Sequence, residues 1–322
     1  MSATPPPAAV TLGTRASNLA RAQTESVVEL LAAAWPGLSC DVRPIVTEGD
    51  RTQASGEPLP EIGGKGLFTL ELERALRDGE IDVAVHSLKD LPTEDAPGVV
   101  IGAICLREDT RDCLVARDGL TLAELPRGSV VGTSSLRREA QLRALRPDLE
   151  IRSIRGNVDT RVDKVRQGEY DAAMLAAAGI LRLGLEEVVT EWLEPETILP
   201  APGQGALGVQ RRVDDEGTHA LLAVIDDSGA RATTTAERAF LSALGGGCAA
   251  PVGAHAGVAL GSPSDKVSQG MIVVKMNAFV ASRDGREVVR VLGEGEPEEL
   301  GERLAREALA AGANRILEAI HG

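Results

Sequence analysis

The sequence predicts two α/β domains in series followed by a smaller α+β domain. Three observations predict it. Short apolar runs alternate with helical patterns from the first residues, the alternation restarts after Asp112, and it ends near Ala230. The chain has 322 residues, room for two or three domains, because one core seldom grows past about 250–300 residues. Aromatic residues make up only 2%, so the cores must be built from Ala, Val, Leu and Ile, which suits sheets covered by helices.

Ala9–Leu12 is a short apolar run ending at Gly13. Ser17 is placed to cap a helix whose inner face carries Leu19, Val27, Leu30, Leu31 and Ala34. Asp41–Val46 reads as a strand, Gly66–Arg77 as a helix and Ile81–Val85 as a strand. In the second lobe, Ser129–Val131 is a strand that turns at Gly132 into a helix from Ser135 to Leu145. Glu150–Ile154 is a strand, Val158–Gln167 a helix with Val158, Val162 and Val165 inward, and Asp171–Leu175 a strand. Pro200–Gly208 is a Pro/Gly-rich crossing segment. The last part opens with a helix from about Ala230 to Leu244. Strand-like runs follow at Val252–Leu260, Met271–Val280 and Glu287–Leu292, and Pro297 opens a final helix with Leu300, Leu304 and Ala308 on one face.

The net charge is −14, which argues against general nucleic-acid binding, since that needs a basic field. Yet Thr133–Arg182 carries ten Lys or Arg against seven Asp or Glu, a cationic stretch inside an acidic protein. The four cysteines, Cys40, Cys105, Cys113 and Cys248, show no CxxC spacing, so neither a zinc site nor a redox dithiol is expected. Met1–Val10 has no basic region of a signal peptide, and no apolar run is long enough to span a bilayer. A cytoplasmic protein with free thiols is expected, bound to no membrane.

Ligands of open α/β sheets bind beyond the C-terminal strand ends, and three clusters fall there. Gly13-Thr14-Arg15-Ala16-Ser17 combines a Gly turn, a helix start, hydroxyls and a guanidinium; an anion site and a plain helix cap both fit. His86-Ser87-Leu88-Lys89-Asp90-Leu91-Pro92 crowds charge onto a strand end. There Asp90 is suited to a cationic intermediate or an acidic N–H and Lys89 to a carboxylate, with a buried ion pair as the alternative. His86 reads as structural. Gly132-Thr133-Ser134-Ser135-Leu136-Arg137-Arg138 sets two adjacent arginines at a helix start. Such neighbours point about 100° apart, enough to grip two different anions, and Arg152, Arg155 and Arg161 follow. Gly63-Gly64-Lys65-Gly66 lacks the P-loop spacing, and no HExxH, GxSxG or EF-hand pattern occurs, so no metal is expected. Cys248 follows three glycines at a helix exit, where a linking or nucleophilic thiol and a buried turn cysteine are both plausible. The other three cysteines read as packing.

GTRASNLARAQ (13–23), GGKGLF (63–68), DVAVHSLKDLP (82–92), GTSSLRR (132–138), IRGNVDTR (154–161), LPAPGQGALG (199–208), TAERAF (235–240) and GGGCAAPVGA (245–254) together resemble the porphobilinogen deaminase family, in its order and along nearly the whole chain. The resemblance implies two lobes like type II periplasmic binding proteins, with mixed, mainly parallel sheets, and a third domain with a three-stranded antiparallel sheet. Domain 1 would comprise 9–105 and 206–225, domain 2 111–199, and domain 3 228–322. It implies a transferase of tetrapyrrole (haem) biosynthesis, hydroxymethylbilane synthase. Four porphobilinogen molecules condense head to tail with loss of ammonia onto a dipyrromethane cofactor held covalently through Cys248, and water then releases hydroxymethylbilane. Asp90 takes the catalytic role. Arg15, Ser17, Lys89, Thr133, Ser135, Arg137, Arg138, Arg155, Arg161 and Arg182 take the cofactor- and substrate-binding roles. A growing chain of acetate- and propionate-bearing pyrroles is a polyanion, which suits so many arginines. The resemblance also implies a monomer. Two departures stand out: Ala249-Ala250 after Cys248, where many relatives are more polar, and Glu48 before Gly49-Asp50, where some are basic.

Two other classes fit parts of the sequence. A non-catalytic binding protein of the same two-lobed design would have no need of Cys248 in a third domain. A phosphate-ester enzyme using the helix starts lacks a metal motif or base.

Overall fold

The computed structural model describes residues 7–50, 69–245, 250–259 and 272–321. The chain folds as two compact units, Met1–Glu108 with Ala206–Arg231, and Asp109–Gly205 with Ala232–Gly322. In chain order the first unit lays down β1 (Ala9–Arg15), α1 (Asn18–Ala34), β2 (Ser39–Ile45), α2 (Leu70–Arg77), β3 (Val83–Ser87) and β4 (Val99–Cys105). The second lays down β5 (Asp112–Ala116), β6 (Val130–Gly132), α3 (Leu136–Leu145), β7 (Glu150–Arg152), α4 (Val158–Arg166), β8 (Ala172–Ala176), α5 (Ala177–Arg182) and β9 (Glu191–Leu193). The chain then returns to the first unit with β10 (Leu207–Arg212) and α6 (Glu216–Leu222). Helix α7 (Ser228–Ala243) leads out of it again. Strands β11 (Val252–Val258), β12 (Val274–Ala281) and β13 (Val288–Gly295), with α8 (Pro297–Ala308) and α9 (Asn314–His321), complete the second unit.

Each α/β sheet has five strands, in the orders β2-β1-β3-β10-β4 and β7-β6-β8-β5-β9. Two pairings in each are parallel and two antiparallel, so that four of the five strands point one way, the mixed, mainly parallel arrangement expected. The antiparallel slots are filled by β10 and β5, the strands that begin just after a crossing between units. Local βαβ alternation shows only parallel neighbours, because a crossover helix links parallel strands. A strand delivered from a distant part of the chain leaves no such signal, and β9 and β10 were not foreseen as strands. The C-terminal sheet is antiparallel in the order β11-β12-β13.

Ser17 caps α1 as expected, its hydroxyl accepting from Ala20 N. Val27 and Leu31 are buried, Leu19 and Leu30 half-buried, and Ala34 exposed. The inward stripe is rotated toward Ala20, Gln23 and Thr24; Thr24 donates to the Ala20 carbonyl of its own helix, and Gln23 reaches across to Ser87. The expected helix Gly66–Arg77 begins in the described residues at Leu70; Gly66–Phe68 lie outside them. Gly312, at φ +110, breaks the final helix into α8 and α9.

The cores are aliphatic, as the lack of aromatics requires. Val10, Leu12, Val27, Leu31, Val83 and Leu221 meet in the first unit, and Leu114, Val131, Leu142, Met174 and Ile198 in the second. A separate core joins Phe240, Met276, Leu300, Leu304 and Ala308 beneath the antiparallel sheet. That sheet's other face meets α3 through Phe279, Ala281 and Ala140.

Candidate anion-binding and catalytic sites

In the first unit the parallel pair β1 and β3, in register at Gly13 and Ala84, ends at one sheet edge. Arg15 closes β1, and its guanidinium binds Asp50, with Nε at 3.1 Å from Oδ1. Thr47 donates to the other oxygen of Asp50 through Oγ1 at 2.8 Å. Burial raises the Asp50 carboxyl, but the Arg15 bond and charge and the Thr47 bonds outweigh it and hold it below its ordinary value. Beyond β3 the chain makes a single 3-10 turn, Leu88–Asp90. Leu88 and Leu91 are buried with Ile104, Ala206 and Ala230, and Leu88 N donates to Ala206 O. Two apolar anchors thus flank the turn and leave Lys89 half-buried and Asp90 exposed. Ser87 Oγ accepts from Gln23 Nε2 at 2.7 Å. His86 is buried, and that burial lowers its pKa to about 4, so at neutral pH it is an uncharged part of the strand.

In the second unit β7, β6 and β8 run parallel, so their C-terminal ends share an edge. Thr133 is buried, and its hydroxyl accepts from Ser135 N at 3.2 Å. Ser135 caps α3 and accepts from Arg138 N. Ser134 Oγ donates to Ile154 O, tying the β6 and β7 ends together. Arg137 and Arg138 share one internal anion. Both reach the carboxylate of Asp112, Arg137 Nη1 at 2.8 Å from Oδ2 and Arg138 Nη2 at 2.8 Å from Oδ1. Long side chains from adjacent helix positions can converge where one buried charge attracts both. Asp112 is fully buried, and its carboxyl is held well below the carboxylate range: burial opposes this, and the charges and hydrogen bonds of Arg137 and Arg138 outweigh it. Gln204 adds a bond to Oδ1 at 2.8 Å.

Arg155 follows β7, Arg161 lies in α4 and Arg182 ends α5, and all three are half-buried. Arg161 Nε donates to Gly156 O, and Arg182 Nη2 to Gly205 O at 2.7 Å. Nothing in the sequence singled out Asp50, Asp112 or Gln204 as partners of these arginines. A polar residue opening the apolar run Cys113–Ala116 was the only available signal for Asp112.

Cys248 and Gly63–Phe68 lie outside the described residues. The other cysteines are free thiols, with Cys105 and Cys113 buried; burial pushes the Cys113 thiol up to about 12, consistent with packing. Among the described residues no helix is long and apolar enough to cross a membrane, and no group of His, Cys, Asp or Glu is arranged to hold a metal ion.

Two family models match the chain, "Porphobilinogen deaminase, dipyromethane cofactor binding domain" over residues 10–220 and "Porphobilinogen deaminase, C-terminal domain" over residues 232–310. A curated relative from Roseiflexus castenholzii, named porphobilinogen deaminase, is 51% identical and covers 96% of this chain and 98% of its own. Relatives of the same name from Deinococcus radiodurans and Brevibacillus brevis are 44% and 46% identical. They cover 97% and 95% of this chain and 98% and 96% of theirs. The solved methionine-binding protein MetQ aligns with a TM-score of 0.44 at 12% identity, over 70% of this chain and 92% of that one.

Proposed function

The chain belongs to the porphobilinogen deaminase family, and from that premise we propose that it condenses four porphobilinogen molecules into hydroxymethylbilane on a dipyrromethane primer attached to Cys248. The observation that carries the reading is chemical. Parallel strands in each α/β sheet end in hydroxyl and guanidinium donors, and a short turn there presents Asp90 to solvent. Substrate and primer both bear acetate and propionate carboxylates, and such donors fit them. The buried Nε atoms of Arg137 and Arg138 have no hydrogen-bond partner, which marks donor capacity that the folded chain does not use.

In this reading Arg137, Arg138, Arg155, Arg161 and Arg182, with Thr133 and Ser135, hold carboxylates in the second unit. Arg15, Ser17 and Lys89 do so in the first. When bound, the dipyrromethane supplies the nucleophilic pyrrole carbon to which the first substrate adds. The Asp90 carboxylate accepts the pyrrole N–H and offsets positive charge as ammonia leaves the substrate. Leu88 and Leu91 fix the turn that carries it. The thiol of Cys248 forms the thioether anchor. In this reading the protein is a cytoplasmic monomer. The reading divides the chain into domain 1 (9–105 and 206–225), domain 2 (111–199) and domain 3 (228–322), and the clusters around Leu12, Leu114 and Phe240 support it.

Intact mass spectrometry of active protein tests the proposal. The expected mass exceeds that of the polypeptide by two linked pyrrole units. Full activity at the unmodified mass overturns it.

A further inference from the structure

The buried carboxylate of Asp112 belongs to none of the roles assigned above. It opens β5, three residues past the first crossing between units. Its two oxygens accept from Arg137, Arg138 and Gln204. Gln204 Nε2 also donates to Thr110 O and Arg111 O, so one side chain ties the outgoing crossing to the returning one. Arg137 Nη1 further binds Leu199 O at 2.6 Å, and Arg138 Nη1 binds Met174 O at 3.0 Å. The bonds of both guanidiniums therefore run through their Nη atoms, and both Nε atoms are buried and unpartnered.

Stability alone explains this arrangement poorly. Buried ion triads are often matched or bettered by apolar residues of similar volume, and unpaired interior donors are a cost that native folds rarely carry without a reason. An orienting role explains both. Two adjacent cations repel, and without a shared anion each guanidinium would swing toward water. With it, both are fixed in the fold before any ligand arrives, the requirement for a precise charged site.

Resting on the function proposed above, we propose that Asp112 is a positioning residue: it clamps Arg137 and Arg138 in the orientation that receives the primer's carboxylates. The two oxygens of the clamp hold one arginine each. Asparagine keeps the shape but offers one acceptor oxygen and no charge, so it holds one arginine at most.

Primer loading tests the inference directly. Apoprotein of the wild type and of Asp112→Asn is mixed with porphobilinogen well below the thermal midpoint of either, and the two-pyrrole adduct is followed by intact mass. Loading is expected to slow at least about tenfold in Asp112→Asn, the scale of one lost charge-assisted bond, with partial recovery in Asp112→Glu. In the Arg137→Gln background the effect of Asp112→Asn shrinks, because the clamp then has one arginine fewer to hold; a general loss of folding would instead add to the Arg137→Gln defect. Loading within twofold of wild type, or strict additivity, overturns the inference. Where Asp112→Asn does not fold, Gln204→Ala removes one bond to the same oxygen and is expected to slow loading severalfold; a wild-type rate there overturns it as well. Wild type that never acquires the adduct overturns the functional reading and this inference together, whereas wild type that loads beside an equally fast Asp112→Asn overturns the inference alone.

Discussion

His86 should make the first unit lose stability as the pH falls from 7.5 to 5. The ring is buried in β3, directly before the residues that lead to Asp90. Burial is the largest cause of its lowered pKa. Gln210 opposes the shift and the Arg15 charge adds to it. His86 Nε2 and Gln210 Oε1 are both buried without a partner. The folded pKa is about 4 against an ordinary 6.5. The unfolded chain therefore takes up a proton first, and its protonation pulls the equilibrium toward unfolding. The contribution is whole above about pH 6.5 and is lost as the pH falls toward 4. Between pH 7.5 and 5 the two pKa values give a loss of about 2 kcal/mol, or roughly thirtyfold in the folding equilibrium. The chain has two tryptophans. Trp35 lies in the first unit, its indole N–H donating to Leu221 O. In a Trp192→Phe background Trp35 fluorescence reports that unit during urea unfolding. His86→Asn is expected to flatten the pH dependence by about 2 kcal/mol, whatever it does to stability at pH 7.5. An equal loss between the two pH values with and without the imidazole refutes the reasoning.

Asp90→Asn is expected to cut turnover by about 10²–10³, the range for losing one charge-stabilising group, while intact mass still shows the two-pyrrole adduct; steady-state rates near wild type contradict the assigned role. Cys248→Ala should carry no adduct, because Cys40, Cys105 and Cys113 are packed cysteines of strands; an adduct in that variant moves the anchor elsewhere. Gly285→Ala should destabilise the second unit by about 2 kcal/mol. Gly285 sits at φ +71, and a Cβ there meets the Ala140 carbonyl and Ala144 N of α3. Trp192 fluorescence during unfolding reads the change, and an unshifted midpoint means the turn moves freely away from α3.

What could be read from the residues follows their spacing. Period and punctuation revealed β1, α1, β3, β6, α3, α4 and β8, because each is a local segment bounded by its own turn residues. The Ser17 cap was visible for the same reason. The glycine-rich turns and charged strand ends marked out the candidate anion sites, since that chemistry sits within a few residues of each turn. Pairings between distant segments were not visible. Nothing local reveals that β10 lies between β3 and β4, that β5 separates β8 from β9, or that each of these two strands runs against the rest of its sheet. Residue spacing even misdirects at Arg137 and Arg138. Helical geometry sends neighbours apart, while the fold brings Asp112 and Gln204 beneath them from the two crossings.

Amino-acid order alone thus specified the class of each domain, the helix starts and the kinds of side chain at the strand ends. These depend on interactions within one turn or one pleat. Which carboxylate each arginine binds, how deeply His86 is buried and which strands are neighbours were settled only once the chain had folded. Those properties depend on electrostatic and packing contacts between residues tens of positions apart, and their energies have no counterpart in any short stretch of sequence.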